Sequence, residues 1–218
     1  KLYKYCKSLN IDFASTPFDH DAVNMLDPLV SYFKVSSSDI TNYPLLKKIA
    51  SKKKPVLLST GASSISEISN AVSLLNSNNC KNIVVMHCIL SYPAKNENAN
   101  LGMISDLKEK FPKNIIGYSD HTLPDKEMTN MYTSYILGAK VLEKHFTLNK
   151  KARGNDHYHS MDYKDLKNLQ NRILKANKII GIKEKKHLKI EYNSRKYARR
   201  SLVLKKDMEK NSTIKKNN

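Results

Sequence analysis

The chain has 218 residues and a net charge of +18, and this length can bury the core of one α/β domain. Its apolar runs are all far shorter than a membrane span, so we expect no membrane partner. The three cysteines, Cys6, Cys80 and Cys88, form an odd number without C-x-x-C spacing, which indicates neither a disulfide framework nor a zinc ribbon. A reducing cytoplasm is the expected location.

The basic charge consists mostly of lysine, and half of the net charge falls in residues 183–218. Arginines interleaved with aromatic side chains, which nucleic-acid recognition usually employs, are lacking. Nucleic acid is therefore not the expected partner, although a noncatalytic polyanion-binding protein stays open as an alternative. A basic field also suits a small anionic substrate.

Short apolar runs that end in polar residues alternate with helix-like periodicity along the chain. Residues 11–14 and 32–35 are the first two runs, and Asn42 can cap the helix that follows the second. Residues 55–58 are the third run, after which Ser64 and Glu67 form a capping box. Each run therefore predicts a strand followed by a helix.

Three further runs complete six predicted strand–helix units, at residues 83–86, 115–116 and 141–142. A helix is expected from about Pro124 to Leu137, where Gly138 ends it. The last helix of this series is expected to end at Gly181.

Strands this short and this apolar, too far apart for hairpins, require crossover helices and a parallel sheet buried on both faces. A doubly wound sheet and a barrel both satisfy that requirement. Polar residues at every strand end favour the barrel, because barrel enzymes build their sites from many strand ends. The predicted fold class is α/β, a (β/α)₈ TIM barrel whose first two units precede Lys1, with residues 1–182 as units three to eight.

The character of the sequence changes after this series of units. Residues 183–198 are charged and nearly without periodicity, which predicts a linker. Residues 198–204 have the apolar pattern of a strand, which would be the first strand of another domain. We therefore expect residues 199–218 to begin a second, truncated domain.

Two histidines follow predicted strands within polar clusters. His121 lies in the segment of residues 117–122, and His145 follows the run at 141–142. The ends of parallel strands share one edge, so the two imidazoles are candidates to converge on a divalent metal or on one substrate. Taken singly, each histidine fits a hydrogen-bonded structural role better.

Seven segments, in their order and spacing, resemble the sialic acid synthase family. They are residues 15–19, 33–39, 58–61, 87–88 with 92–93, 117–122, 143–147 and 156–157. The resemblance covers nearly the whole chain and implies a (β/α)₈ barrel followed by a small antifreeze-like (SAF) domain. It also implies a transferase that condenses phosphoenolpyruvate with an N-acylated hexosamine such as N-acetylmannosamine, giving a nonulosonic acid and phosphate. A homodimer formed through the C-terminal domain is implied as well.

The resemblance implies roles for individual residues. His121 and His145 match divalent metal ligands, for Mn²⁺ or Mg²⁺, in a site that polarises the sugar aldehyde. Tyr92 and Asp156 match residues that contact the sugar, and Tyr92 joins the two histidines as a catalytic candidate. The positions that match the binding site for phosphoenolpyruvate are Thr16, Lys34, Ser37, Ser59 and Ser119.

Other interpretations of the same residues stay open. Lys34 or Lys144 fits the Schiff-base lysine of a metal-independent aldolase. Without the resemblance, the strand-end serines fit helix caps. His87 is expected to be a satisfied core histidine, and neither His157 nor His159 is expected to be catalytic, although residues 154–157 are expected to close over the sugar.

Overall fold

The computed structural model describes residues 1–215, and its centre is a five-stranded sheet. The strands are Phe33–Val35 (β1), Val56–Ser59 (β2), Ile83–Cys88 (β3), Ile115–Asp120 (β4) and Val141–Lys144 (β5). They lie side by side in sequence order, and every neighbouring pair is parallel. This order confirms the parallel sheet that the short apolar runs predict.

Helices connect the strands, as parallel pairing requires. The first two are Leu2–Ser8 (α1) and His20–Leu26 (α2), which precede β1. The helices that follow successive strands are Tyr43–Ala50 (α3), Ile65–Ser77 (α4), Met103–Lys110 (α5), Thr129–Leu137 (α6) and Tyr163–Ile180 (α7). A short helix, Tyr192–Tyr197 (α8), lies within the predicted linker.

The predicted caps form at α3 and α4. The side chain of Asn42 accepts a hydrogen bond from the Leu45 amide at the start of α3. At α4, the Ser64 hydroxyl and the Glu67 carboxylate each bond the other residue's backbone amide. These bonds satisfy amide groups that have no partner inside the helix, so the caps fix where both helices begin.

Helix α6 begins later than the sequence predicts. Met128 has a left-handed backbone with φ of 48°, and a helix cannot continue backwards through that conformation. The Asp125 carboxylate accepts a hydrogen bond from the Thr129 amide, which stabilises the start at Thr129. Gly138 ends the helix in the left-handed conformation with φ of 112°, as predicted.

The strand predicted at residues 11–14 is wrong within the part of the chain that the structure describes. This segment pairs with no strand, and the Ile11 amide bonds instead to the Cys6 carbonyl at 3.0 Å. Phe13 packs against the hydrophobic core, whereas Ile11 is exposed. One partly buried apolar side chain packs the segment against the core, but a strand needs a backbone ladder with a neighbour.

The hydrophobic core lies between the outer face of the sheet and the helices. Alternate residues of each strand face it, including Phe33, Val35, Val56 and Leu58, all of which are buried. The intervening residues, such as Lys34 on β1 and Glu143 on β5, face the other way.

The sheet is strongly curled. Lys34 and Glu143 lie on the two edge strands, yet the Lys34 Nζ is 3.5 Å from a Glu143 carboxylate oxygen. Edge strands of a flat five-stranded sheet would be about 19 Å apart, at about 4.8 Å a strand. The two edges must therefore bend towards each other, which gives the sheet a concave inner face.

The chain divides into two compact units, one of residues Lys1–Asn177 and a smaller one that begins at Lys178. The strand predicted within residues 198–204 does not form among the described residues, which have neither helix nor strand from Ser201 to Lys215. Residues 216–218 of the predicted second domain lie outside the described range. None of the helices formed by residues 1–215 combines the length and the apolar composition of a membrane-spanning helix.

Candidate active site at the strand ends

A network of charged and hydroxyl side chains lines the concave face of the sheet. Lys34 donates a hydrogen bond to the Ser59 hydroxyl at 2.8 Å, and its ammonium lies 3.5 Å from Glu143. Ser119 donates to the same Glu143 carboxylate at 3.1 Å. Side chains from β1, β2, β4 and β5 therefore meet at one place, which only the curl of the sheet allows.

Glu143 is the residue of this network to which sequence analysis assigns no role. A signal was present, because Glu143 lies two residues before His145 and alternate strand residues share a face. Ser119, near the end of β4, and His121, just after β4, have the same spacing. The network and the two strand-end histidines therefore belong to the same side of the sheet.

Thr16 lies beside Lys34. Both residues line a cavity of about 260 Å³, together with Ala14, Ser15, Tyr32, Leu57 and Glu143. The cavity therefore lies between the backbone that precedes α2 and the concave face of the sheet.

Ser37 lies in a short 3₁₀ turn after β1, where its side chain is closely packed. Its buried hydroxyl accepts a hydrogen bond from the Gly61 amide at 2.9 Å and lies 3.1 Å from the Cys88 sulfur. A Cβ added to Gly61 would come within 2.9 Å of both the Ser37 hydroxyl and the Cys88 sulfur. The glycine therefore permits the close approach of these three strand ends.

The strand-end serines do not cap the helices that follow. Asn42 caps α3 and Ser64 caps α4, whereas the Ser59 hydroxyl bonds to Lys34 and the Ser119 hydroxyl to Glu143. The capping interpretation of Ser59 and Ser119 is therefore wrong.

An aromatic cluster lies at the carboxyl ends of the strands and consists of His121, His145 and Tyr92. The ring centroids of His121 and His145 are 5.8 Å apart, and the Tyr92 ring lies 4.1 Å from His121 and 5.9 Å from His145. The two histidines are 24 positions apart in the sequence, and the pairing of β4 with β5 brings them together. The imidazoles thus converge as the strand-end pattern predicts.

The His121 ring is held by a hydrogen bond from its Nδ1 to the Ile89 carbonyl, at 2.7 Å. A carbonyl accepts only, so Nδ1 carries the proton and Nε2 keeps a lone pair available to a ligand. Burial lowers the pKa of His121, which favours this neutral form.

A second cluster joins His145 to the loop before α7. The Asp156 carboxylate lies 3.7 Å from Nδ1 of His145 and 3.8 Å from Nε2 of His159. One ligand atom from each of these three residues lies within 4.8 Å of the others, a spacing that suits one metal ion. The sequence pattern gave His159 no catalytic role, although the spacing Asp156-x-x-His159 brings both side chains to the same side of a 3₁₀ turn.

Other titratable residues have structural partners. His87 is buried, and its Nε2 lies 2.8 Å from the Ala99 carbonyl, which agrees with the prediction of a satisfied core histidine. Nδ1 of His157 lies 2.7 Å from the Thr147 hydroxyl. Lys144 is fully buried and pairs with Asp120 at 2.8 Å, on the face of β5 opposite to Glu143.

Comparison with known proteins places these features in context. The sequence pattern of the NeuB family matches residues 1–185. The chain is 40% identical to an N,N'-diacetyllegionaminic acid synthase of Campylobacter jejuni, over all of this chain and 65% of the relative. It spans less than two thirds of the length of that and similar curated relatives.

Solved structures show the same architecture. An N-acetylneuraminic acid synthetase from Leptospira borgpetersenii superimposes with a TM-score of 0.82 at 34% identity, covering 90% of this chain and 67% of that one. A truncated 3-deoxy-D-arabino-heptulosonate 7-phosphate synthase from Thermotoga maritima gives a TM-score of 0.72 at 17% identity, over 84% of this chain and 71% of that one. The second likeness concerns the fold alone, and together they identify the curled sheet and its helices as an α/β half-barrel.

The family indicated by the strand-end motifs is confirmed by these matches, and the chain belongs to the NeuB family.

Proposed function

We propose that the chain catalyses the condensation of phosphoenolpyruvate with the aldehyde of an N-acylated hexosamine, N-acetylmannosamine or a related amino sugar, to give a nonulosonic acid and phosphate. The observation that carries this proposal is the meeting, on one concave face, of an ammonium–hydroxyl network with a cluster of imidazoles. The relatives named as nonulosonic acid synthases support it.

The network supplies the chemistry that an anionic enol phosphate needs. The Lys34 ammonium and the Ser59 and Ser119 hydroxyls are donors for carboxylate and phosphate oxygens. Thr16 lines the same cavity as Lys34, and Ser37 lies in the turn that follows β1. We assign these five residues to phosphoenolpyruvate. The Glu143 carboxylate holds Lys34 and Ser119 in position from the opposite edge of the sheet.

The imidazole cluster fits a divalent cation, Mn²⁺ or Mg²⁺, with His121 and His145 as ligands. The neutral His121 ring has its free lone pair on Nε2, and the His145 ring lies 5.8 Å away. Such a cation, when bound, makes an aldehyde carbon more electrophilic. Tyr92, packed on His121, and Asp156 are the residues that we assign to the sugar.

In the proposed reaction, C3 of phosphoenolpyruvate forms the new carbon–carbon bond to the aldehyde carbon, whose oxygen gains a proton. Water then adds at C2 and loses a proton, and phosphate leaves as the C–O bond breaks. The side chains of this chain act by holding the two substrates in contact and by stabilising charge.

We further propose that residues 1–182 belong to a (β/α)₈ barrel, since five strands already curl far enough for the edge side chains to meet. Residues 183–198 are then the linker and residues 199–218 the start of an SAF domain, with a cytoplasmic homodimer as the assembly. The likeness to a barrel synthetase over 90% of this chain supports the barrel.

The structure separates the two lysines of the alternative aldolase mechanism. Lys144 lies on the helix-facing side, fully buried against Asp120, so a substrate carbonyl on the concave face has no access to it. Lys34 faces the cavity and is the one lysine of the two for which a Schiff base is sterically reasonable.

The test is phosphate release from phosphoenolpyruvate by the full chain with N-acetylmannosamine or its N,N'-diacetylated relatives, with products identified by NMR. We expect EDTA to abolish turnover and Mn²⁺ to restore it. His121→Ala and His145→Ala should each lower kcat/KM by about 100-fold or more, because a bound cation contributes several kcal/mol. The exposed His20→Ala is the matched control. Borohydride trapping at Lys34 with unchanged turnover in EDTA would contradict the proposal.

A further inference from the structure

His159 has an unusual environment for a histidine. Its side chain is 1% exposed, and neither ring nitrogen has a hydrogen-bond partner among the described residues. Buried polar atoms in folded proteins almost always have partners, since leaving one unpaired costs about 1 to 3 kcal/mol. Two orphaned nitrogens on one ring indicate a ligand.

The groups nearest to His159 are those expected around a cation. The Asp156 carboxylate lies 3.8 Å from Nε2 of His159 through one oxygen and 3.7 Å from Nδ1 of His145 through the other. Both distances exceed the range of about 2.7 to 3.2 Å for a hydrogen bond. Two ligand atoms that bind one ion at about 2.1 Å lie about 3 to 4 Å apart, which matches the observed separations.

The surrounding rings fix His159 in this place. Tyr158 and His145 pack edge-on against it at centroid distances of 4.9 and 5.0 Å, and Tyr92 lies at 6.2 Å. The ring therefore bridges the loop before α7 to the strand-end cluster.

We propose that His159 is a metal ligand, and that it and Asp156 join His145 around one divalent transition-metal ion. The inference rests on the proposed function and deepens it: the cation assigned there to His121 and His145 gains His159 and Asp156 as further ligands, and Asp156 acts on the sugar through that cation. The bound ion also fixes the loop of residues 154–160 beside the substrate site. Two imidazole nitrogens and one carboxylate suit Mn²⁺ better than Mg²⁺, which prefers an all-oxygen shell.

The test is a metal titration of the full chain without either substrate, so that it does not depend on catalysis. After EDTA treatment and dialysis, free Mn²⁺ is followed by its EPR signal. We expect His159→Ala and His159→Gln to weaken Mn²⁺ binding by at least 10-fold. His157→Ala is the matched control, since His157 lies in the same turn but bonds to Thr147, and its affinity should stay within 3-fold of wild type.

A second measurement uses the unsubstituted chain. Mn²⁺ should slow hydrogen exchange of the amides of residues 154–160, and an equal concentration of Mg²⁺ should slow it less. Unchanged exchange with Mn²⁺, or wild-type affinity in both His159 variants, would overturn the inference. A chain that binds Mn²⁺ through His159 but releases no phosphate would contradict the proposed function alone.

Discussion

Lys34 and Lys144 lie on the two edge strands, but their side chains face opposite sides of the sheet. They therefore have different partners and different roles. Lys34 faces the cavity and donates to Ser59. Lys144 faces the helices, pairs with Asp120 and donates to the Thr122 carbonyl at 2.7 Å. Asp120 in turn accepts from Thr122 and from the Tyr118 hydroxyl. Lys144 is therefore the cation of a buried structural network.

This arrangement predicts a large loss of stability in Lys144→Met. The substitution leaves the Asp120 carboxylate buried without a cation, which costs about 3 to 5 kcal/mol in comparable cases. Urea denaturation measures the change in the free energy of unfolding. Lys110→Ala is the control, because Lys110 pairs with Asp106 on the exposed face of α5, where such pairs contribute about 0.5 kcal/mol. Equal effects in the two variants would show that Lys144 has no special role.

His87 predicts a pH dependence of stability. Burial lowers the pKa of His87 below its ordinary 6.5, so below pH 6.5 the unfolded chain binds this proton more readily than the folded chain. The free energy of unfolding should therefore fall as the pH drops from 7 towards 5, by at most about 1.4 kcal/mol per pH unit for this group. Above pH 7 the contribution of His87 should be constant.

The measurement is urea denaturation at several pH values. His87→Gln keeps a donor for the Ala99 carbonyl and removes the titration, so its slope between pH 7 and 5 should be shallower than that of wild type. Some slope will remain, because burial also lowers the pKa values of His121 and His159. A wild-type slope in His87→Gln would contradict the assignment.

At the scale of the elements, the packing of β4 against β5 sets the position of the site. Gly117 lies opposite Val141, and two residues later the register places Ser119 opposite Glu143. A Cβ on Gly117 would lie 2.9 Å from the Val141 carbonyl oxygen and 3.0 Å from Cγ of Met86. The glycine therefore permits the strand separation on which the Ser119–Glu143 contact depends.

Gly117→Ala should destabilise the chain by about 1 to 3 kcal/mol, because strand backbone rather than a flexible side chain must move. Thermal and urea denaturation measure the loss. Gly102→Ala is the matched control, since a Cβ there meets nothing within 4 Å and the backbone is already helical. That variant should be neutral or up to about 1 kcal/mol more stable. A neutral Gly117→Ala would show that the sheet accommodates the methyl group.

At the scale of the whole molecule, the two compact units differ in how much of the chain is exposed to solvent and to proteases. Residues 1–177 contain the sheet and the core, whereas residues 177–207 are all exposed. Lysines and arginines are frequent in the exposed part. Exposed backbone with few buried apolar contacts opens at little free-energy cost, so proteases cut there first.

Brief digestion with trypsin should therefore cut within residues 178–206 before it cuts between β1 and β5, and a fragment close to residues 1–177 should accumulate. Mass spectrometry of the first products locates the cuts. A protease that cuts after glutamate should cut first at Glu184 or Glu191 and leave a similar fragment. That result would show that exposure, and not the number of lysines, decides where the first cut falls. First cuts within the sheet region would contradict the division into units.

Sequence patterns predicted the structural features that depend on residues close together in the sequence. The five strands, the caps at Asn42 and Ser64 and the end of α6 at Gly138 were predicted, because each depends on residues a few positions apart. The strand at residues 11–14 failed for the opposite reason. An apolar run shows that a segment can be buried, but not whether a neighbouring strand pairs with it.

The chain alone determined the family, the parallel order of the strands and the residues at their ends, including His121 and His145. Only the tertiary structure decided that Glu143 joins Lys34 to Ser119 and that His159 reaches His145. The physical reason is that strand residues alternate between two faces, which is a local property, whereas the curl of the sheet and the return of the loop before α7 bring together atoms from distant parts of the chain.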